Sequence, residues 1–188
     1  MKSLDIVVLC KVFIFQSAGR KNWTYSQLAE ETCLSVGEVH ASIRRLKFSR
    51  LFDEFTKSAI PAALVEFFIH GLKYAFPAEI GAPARGFVTS HSAPILQEDI
   101  LQSETDTFVW AYANGKQKGL AIKPLSKNAP KAALMDRKLY DFLALLDAVR
   151  IGKSREKNIA AGKLESMIQR MPANGKLSRQ SEKVGSDC

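Results

Sequence analysis

Arg44, Arg45 and Lys47 close a stretch that Ser35 opens, and their chemistry is that of holding a polyanion rather than making or breaking bonds. Ser35 is followed three positions on by Glu38, the spacing of a capping box that starts a helix. Plotted at about 100° per residue, Val36, Val39, Ile43 and Leu46 share one sector of about 80°, which predicts the buried stripe. Gly37, Glu38, Ala41, Arg44 and Arg45 fall opposite, with His40, Ser42 and Lys47 on the flanks. Small residues at Gly37 and Ala41 let such a helix approach another surface closely, and arginines one turn later reach around it. Reading base edges in a major groove needs that arrangement. Gly37, His40, Ala41 and Arg44 are then expected at base edges. Arg45, Lys47, Thr24, Tyr25 and Ser35 are expected nearer the phosphates, since hydroxyls and amides at helix starts commonly hold them. The plainer alternative is a solvated helix end with cations favoured by the macrodipole, where Thr24 and Ser35 serve only as caps.

Catalysis would have to draw on His70, Glu79, Arg85, His91 and Asp99, two or three of which would need to converge as an acid–base pair or a metal site. No H-x-x-x-H, C-x-x-C, G-x-S-x-G or P-loop pattern is present, so no enzyme, metal or cofactor is expected. On the plainer reading His70 closes a helix and Arg85 pairs with an acid such as Glu79. Cys10, Cys33 and Cys188 are odd in number and lack metal-ligand spacing, which fits a reducing cytoplasm. The longest apolar runs, 6–10 and 60–69, fall short of the roughly 20 residues a bilayer demands, so no membrane role is expected.

Several elements must position the basic stretch. Residues 4–16 carry apolar side chains at helical spacing, and Gly19 is a plausible stop. Thr24 with Gln27 repeats the capping-box pattern, so two short helices meet at a tight turn around Cys33. Residues 60–72 predict a helix with Pro61 in its first turn, and 73–97, rich in proline and glycine, predict mostly loop. Asn114-Gly115 between 108–113 and 119–122 predicts a β-hairpin. The segment 139–151 is apolar on nearly every face, as a helix buried in its own core or in a dimer would be. Residues 153–171 predict an amphipathic helix with a basic start (Lys153, Arg155 and Lys157, preceded by Arg150), and 172–188 a disordered tail. Trp23 and Trp110 read as core anchors. The charge of +8 is uneven: residues 1–52 hold eight Lys/Arg against four Asp/Glu, 150–188 nine against four, and 53–149 ten against eleven. Basic ends around a neutral centre suit a polyanion partner.

The order Ala29, Cys33, Ser35, Val39, Ile43, Leu46, the "T-x-x-x-L-A" of Thr24 to Ala29 and the segment "RRLKFSRLF" together resemble the helix-turn-helix of MarR-like winged-helix transcriptional regulators. The resemblance spans roughly residues 4–56 and implies a duplex-binding module. Three departures stand out: Cys33 occupies the turn position usually held by glycine, Arg50 the glycine before the wing, and "DEFTKSAIP" is short for a full wing. The remainder, with "HGLKYAFPAEIGAPARG" and "LALLDAVRIGKSRE", is similar to an uncharacterised bacterial helix-turn-helix protein family. The expected architecture is therefore mainly α (α+β). A helix-turn-helix domain of winged-helix type spans 1–56, an α+β dimerisation or effector part 57–171, and a tail 172–188. The expected protein is a cytoplasmic, sequence-specific regulator of transcription that binds double-stranded DNA as a homodimer, joined through 139–151 and reading half-sites about one helical turn apart. A protein-docking or antitoxin-like module is the alternative, and a small-molecule effector bound near 74–87 is compatible with either.

Overall fold

The structure, a computed structural model, describes residues 1–100 and 107–170 and is a mixed α+β fold. The segment 172–188, read from sequence as a disordered tail, lies outside the described residues. Helix α1 (Ser3–Ser17) is followed by α2 (Tyr25–Thr32) and α3 (Val36–Phe48). Two two-residue strands, β1 (Phe52–Asp53) and β2 (Ser58–Ala59), pair antiparallel as a minimal hairpin. Helix α4 (Pro61–Glu66) runs through a π-helical turn, Phe67–Gly71, into α5 (Leu72–Ala75). Strands β3 (Ile80–Val88), β4 (Phe108–Ala111) and β5 (Gln117–Ile122) precede α6 (Ala129–Met135), α7 (Arg137–Ile151) and α8 (Ser154–Gln169).

One hydrophobic core runs through the described residues, with α1 at its centre. Every residue of α1 from Asp5 to Phe15 is buried, so this helix has no solvent face at all. It packs on α2, α3 and β2 on one side and on α7 on the other, where Phe13 meets Phe142 edge-to-face at 5.8 Å. Lys11 would be costly in such surroundings without partners. Its ammonium lies 2.6 Å from Glu31 of α2 and 2.6 Å from Asp136, the N-cap of α7. The helix at 139–151 is buried inside its own chain, with Leu139, Phe142, Leu143, Leu145 and Leu146 all 2% exposed or less. The helix expected to join a dimer is thus engaged within its own chain, its apolar faces having α1, α5, α6 and α8 as neighbours.

The turn between α2 and α3 follows the spacing of its caps. Thr24 accepts from the Gln27 amide at 3.2 Å, and Ser35 from the Glu38 amide at 3.2 Å. Cys33 takes the left-handed conformation, φ 55°, ψ 36°, and the Leu34 amide reaches back to the Ala29 carbonyl at 3.0 Å. Arg50, ahead of the hairpin, is also left-handed at φ 57°. Both positions where the sequence departs from the usual glycine thus keep the glycine-like backbone, at a steric cost of about 1–2 kcal/mol each. Cys33→Gly is expected to raise the unfolding free energy by about 0.5–1 kcal/mol and the Tm by a few degrees. An unchanged or lower Tm in thermal unfolding would show that the Cys33 Sγ contact to Met135 Sδ, 3.8 Å, outweighs the relief.

Two expectations fail in the middle of the chain. Residues 80–88, expected as loop, form a nine-residue strand, and a register shift between Ile80 and Pro83 absorbs the proline, which has no N–H for a regular ladder. The predicted hairpin is absent as well. A turn does form, with the Gly115 amide on the Tyr112 carbonyl at 2.9 Å, but β4 and β5 run parallel to each other and each pairs antiparallel with β3. The chain crosses over the end of β3 between them. A Cβ on Gly115 would collide with the Gly86 main chain at that crossing, and a Cβ on Gly86 would collide with the Trp110 carbonyl of β4. The turn chemistry was local and correct, while the partner strand was distant in sequence.

Beneath this small closed sheet lies a buried polar hub. Asp147 of α7, 1% exposed, accepts from Trp110 Nε1 at 2.7 Å, from Thr89 Oγ1 at 2.9 Å and from Arg150 Nη1 at 2.6 Å. Arg150 also gives Nε to the Phe76 carbonyl at 2.8 Å. It is an internal tie, and it drops out of the exposed cationic cluster at the start of α8.

Candidate nucleic-acid interface

The outer face of α3 is built by what its inner face buries. Val39, Ser42, Ile43 and Leu46 face the core. Val36, expected in that stripe, is 42% exposed at the first turn. The buried sector is thus turned by about 30° toward Ser42 relative to the apolar stripe. The cause is Asp5. This fully buried carboxylate of α1 accepts from the Lys2 amide at 2.7 Å, from the Ser42 hydroxyl, and from Arg45 through Nε at 2.8 Å and Nη2 at 2.6 Å. Burial pushes the Asp5 carboxyl up, but Arg45, the Lys2 amide and Ser42 together hold it below its ordinary value.

Arg45 was expected beside phosphates. The structure turns its guanidinium inward in a bidentate pair, so the role is corrected to fixing α3 on α1. Ser35 is likewise occupied. Its amide and hydroxyl both donate to Glu38 at 2.8 Å, and Glu38, held below the usual carboxylate range first by the Ser35 amide, places a negative charge at the N-terminus of α3. That charge disfavours a phosphate at the same helix end.

The remaining predicted residues come together. Tyr25, Gly37, His40, Ala41, Arg44 and Lys47 line one groove of about 460 Å³, with Ile43 at its floor and Glu54 from the hairpin at its far wall. Tyr25 stacks on His40 with ring centroids 3.7 Å apart and planes 13° from parallel, which fixes both rings at one rim. A Cβ at Gly37 would meet nothing within 4 Å, so the fold does not require glycine there, and the bare backbone is a property of the outer surface. Arg44 is exposed and has no hydrogen-bond or ion-pair partner among the described residues. Lys47 is ion-paired to Glu54, both side chains being more than half exposed. Thr24 sits beside the groove, next to Trp23, Phe52 and Lys57. Trp23 is buried against Phe15, Tyr25 and Phe52 and donates Nε1 to the Lys57 carbonyl at 3.2 Å, tying the hairpin to the helices.

Sequence reasoning missed Asp5 and Glu54. For Asp5 a signal existed, since it stands three residues after Lys2 at a helix start. For Glu54 there was none.

The groups a catalytic reading would use are engaged singly. Glu79 pairs with Lys123 at 2.8 Å rather than with Arg85, and Asp99 pairs with Lys163 at 2.7 Å. His91 is buried, edge-on to Phe108, with Nδ1 3.7 Å from Glu156. His70 is exposed on the turn before α5. Among the described residues no three His, Cys, Asp or Glu side chains are grouped so as to hold a metal ion, and no helix is long and apolar enough to cross a membrane. No family model, curated protein or solved structure matches this chain.

Proposed function

We propose that this protein is a cytoplasmic DNA-binding regulator of transcription in which α1 to α3 and the short hairpin act as a helix-turn-helix of winged-helix type. Helix α3 lies along the major groove. Gly37, His40, Ala41 and Arg44 face base edges, and Tyr25, Thr24 and Lys47 lie nearer the backbone. The observation that supports this most directly is the outer groove of α3, where two small residues precede an unpaired arginine along the same face. The two-residue ladder of β1 and β2 offers little surface to a minor groove, so most of the contact area comes from α3 itself.

Fluorescence anisotropy with duplexes from the region upstream of its own gene tests the reading. Arg44→Ala is expected to weaken binding about 10- to 100-fold, and Lys47→Ala to lower the salt slope by about one. Absence of duplex binding even at low salt ends the proposal. It would favour protein docking, which has its own support: Phe48, the last residue of α3, and Phe55, in the hairpin turn, are 90% and 100% exposed, and Glu54 sets a negative charge in the groove wall. A homodimer remains part of the proposal, through a surface other than α7, and sedimentation equilibrium measures it.

A further inference from the structure

A second concave surface opens between the three-stranded sheet and helices α6 and α7. It encloses about 390 Å³. Phe87, Val88, Leu134 and Tyr140 give it apolar walls, while Lys116 and Arg137 bring two cations and no acidic side chain lines it. Leu134 is 54% exposed here, an apolar residue left without cover. Arg137 gives Nε to Asp141 at 2.9 Å and lies over the Tyr140 ring at 5.5 Å. Among the described residues its terminal nitrogens have no hydrogen-bond partner, and Lys116 has no ion-pair partner. The Tyr140 hydroxyl is taken by the Val88 carbonyl at 2.7 Å, so tyrosine offers the cavity its ring and not a polar group.

Apolar walls call for a hydrocarbon body, and two cations without an acid beside them in the lining call for one anionic end. We propose that this cavity binds a small amphipathic monocarboxylate, its carboxylate on the free nitrogens of Arg137 with Lys116 nearby, its chain against Leu134, Phe87 and Tyr140. A body of roughly eight carbons suits a cavity near the lower end of the usual size range for ligand sites. Arginine favours a carboxylate over a simple alcohol because its planar donors meet both oxygens.

The cavity also has a route to the helix-turn-helix. Leu134 belongs to α6, its neighbour Met135 touches Cys33, and Asn128, just ahead of α6, donates Nδ2 to the Cys33 carbonyl at 2.6 Å. Occupancy of the cavity therefore changes duplex affinity, an effect that rests on the DNA-binding reading. The cavity itself does not rest on it.

The full chain is titrated with sodium octanoate by calorimetry. One site is expected, with a Kd on the order of 0.1–1 mM for a ligand of this size. 1-Octanol and the Arg137→Gln variant should each bind about tenfold more weakly, and Arg137→Lys should fall between. Because Arg137 is exposed, circular dichroism and Tm should match the parent protein. No heat with octanoate, equal binding of octanol, or full binding by Arg137→Gln overturns the site. Duplex anisotropy with and without octanoate then reads the coupling: a shift of threefold or more, about 0.7 kcal/mol, supports it, and an unchanged affinity overturns it. A protein that binds no duplex but binds octanoate refutes the proposed function and leaves the cavity standing.

Discussion

Asp147→Ala is expected to lose about 3–5 kcal/mol of folding free energy. The carboxylate is 1% exposed and takes three donors at once, from Trp110, Thr89 and Arg150. Removing it leaves an indole N–H, a hydroxyl and a guanidinium whose side chain is only 4% exposed. The stranded cation costs more than either neutral donor, each of which is about 1–3 kcal/mol and can be partly relieved by water. A domain of ordinary stability, about 5–15 kcal/mol, would lose a third or more. Urea unfolding should show a lower midpoint with an unchanged slope. Asp147→Asn keeps an acceptor for Trp110 but not the counter-charge, so it should fall between. Arg150→Met in the Asp147→Ala background should recover part of the loss, since it removes the stranded charge. A loss below about 1 kcal/mol for Asp147→Ala would mean that Arg150 reaches solvent without it.

The second large effect belongs to Asp5. Asp5→Ala is expected to cost about 2–3 kcal/mol, less than Asp147 because Arg45 is 27% exposed and can rehydrate. If α3 binds a duplex as proposed, the substitution should also weaken that binding, although Asp5 faces away from the groove, because it fixes the rotation of α3 about its own axis. The pH dependence follows from the direction of its shift. The folded carboxyl titrates below its ordinary value of 3.8, so the ionised form is favoured by folding. Its contribution is complete above that value and is lost as pH falls through the folded one. Stability curves of the parent and Asp5→Ala should therefore run parallel near neutrality and converge below about pH 4. A constant gap down to pH 2 would show that the aspartate acts through shape and not charge.

How much could be read from the sequence depended on range. Helices α1, α2, α3 and α7 and both capping boxes were readable, because caps and periodicity act within a few residues. The groove was mostly readable too: Tyr25, Gly37, His40, Ala41, Arg44 and Lys47 do share it. Arg45 was misplaced because a wheel sorts side chains by polarity, and a hydroxyl such as Ser42 enters a core only when a distant acid receives it. That acid is 37 positions away from Ser42 and 40 from Arg45. The same limit hid the parallel strands. Asn114-Gly115 announces a turn, but it carries nothing about β3, which claims both strands on either side of that turn. The left-handed backbone at Cys33 and Arg50 was visible only through the resemblance, since neither residue type signals it.

The burial of α1 on every side has a consequence for biogenesis. Lys11 and its partner Asp136 are 125 positions apart. At about 5–20 residues per second, the ribosome delivers the second roughly 6–25 s after the first. For that interval a largely apolar rod has only half its sheath, furnished by α2, α3 and the hairpin, and Lys11 has only Glu31 as a partner. A nascent chain in this condition is a natural client for a holdase, and slowing translation downstream of the hairpin should raise the fraction that aggregates.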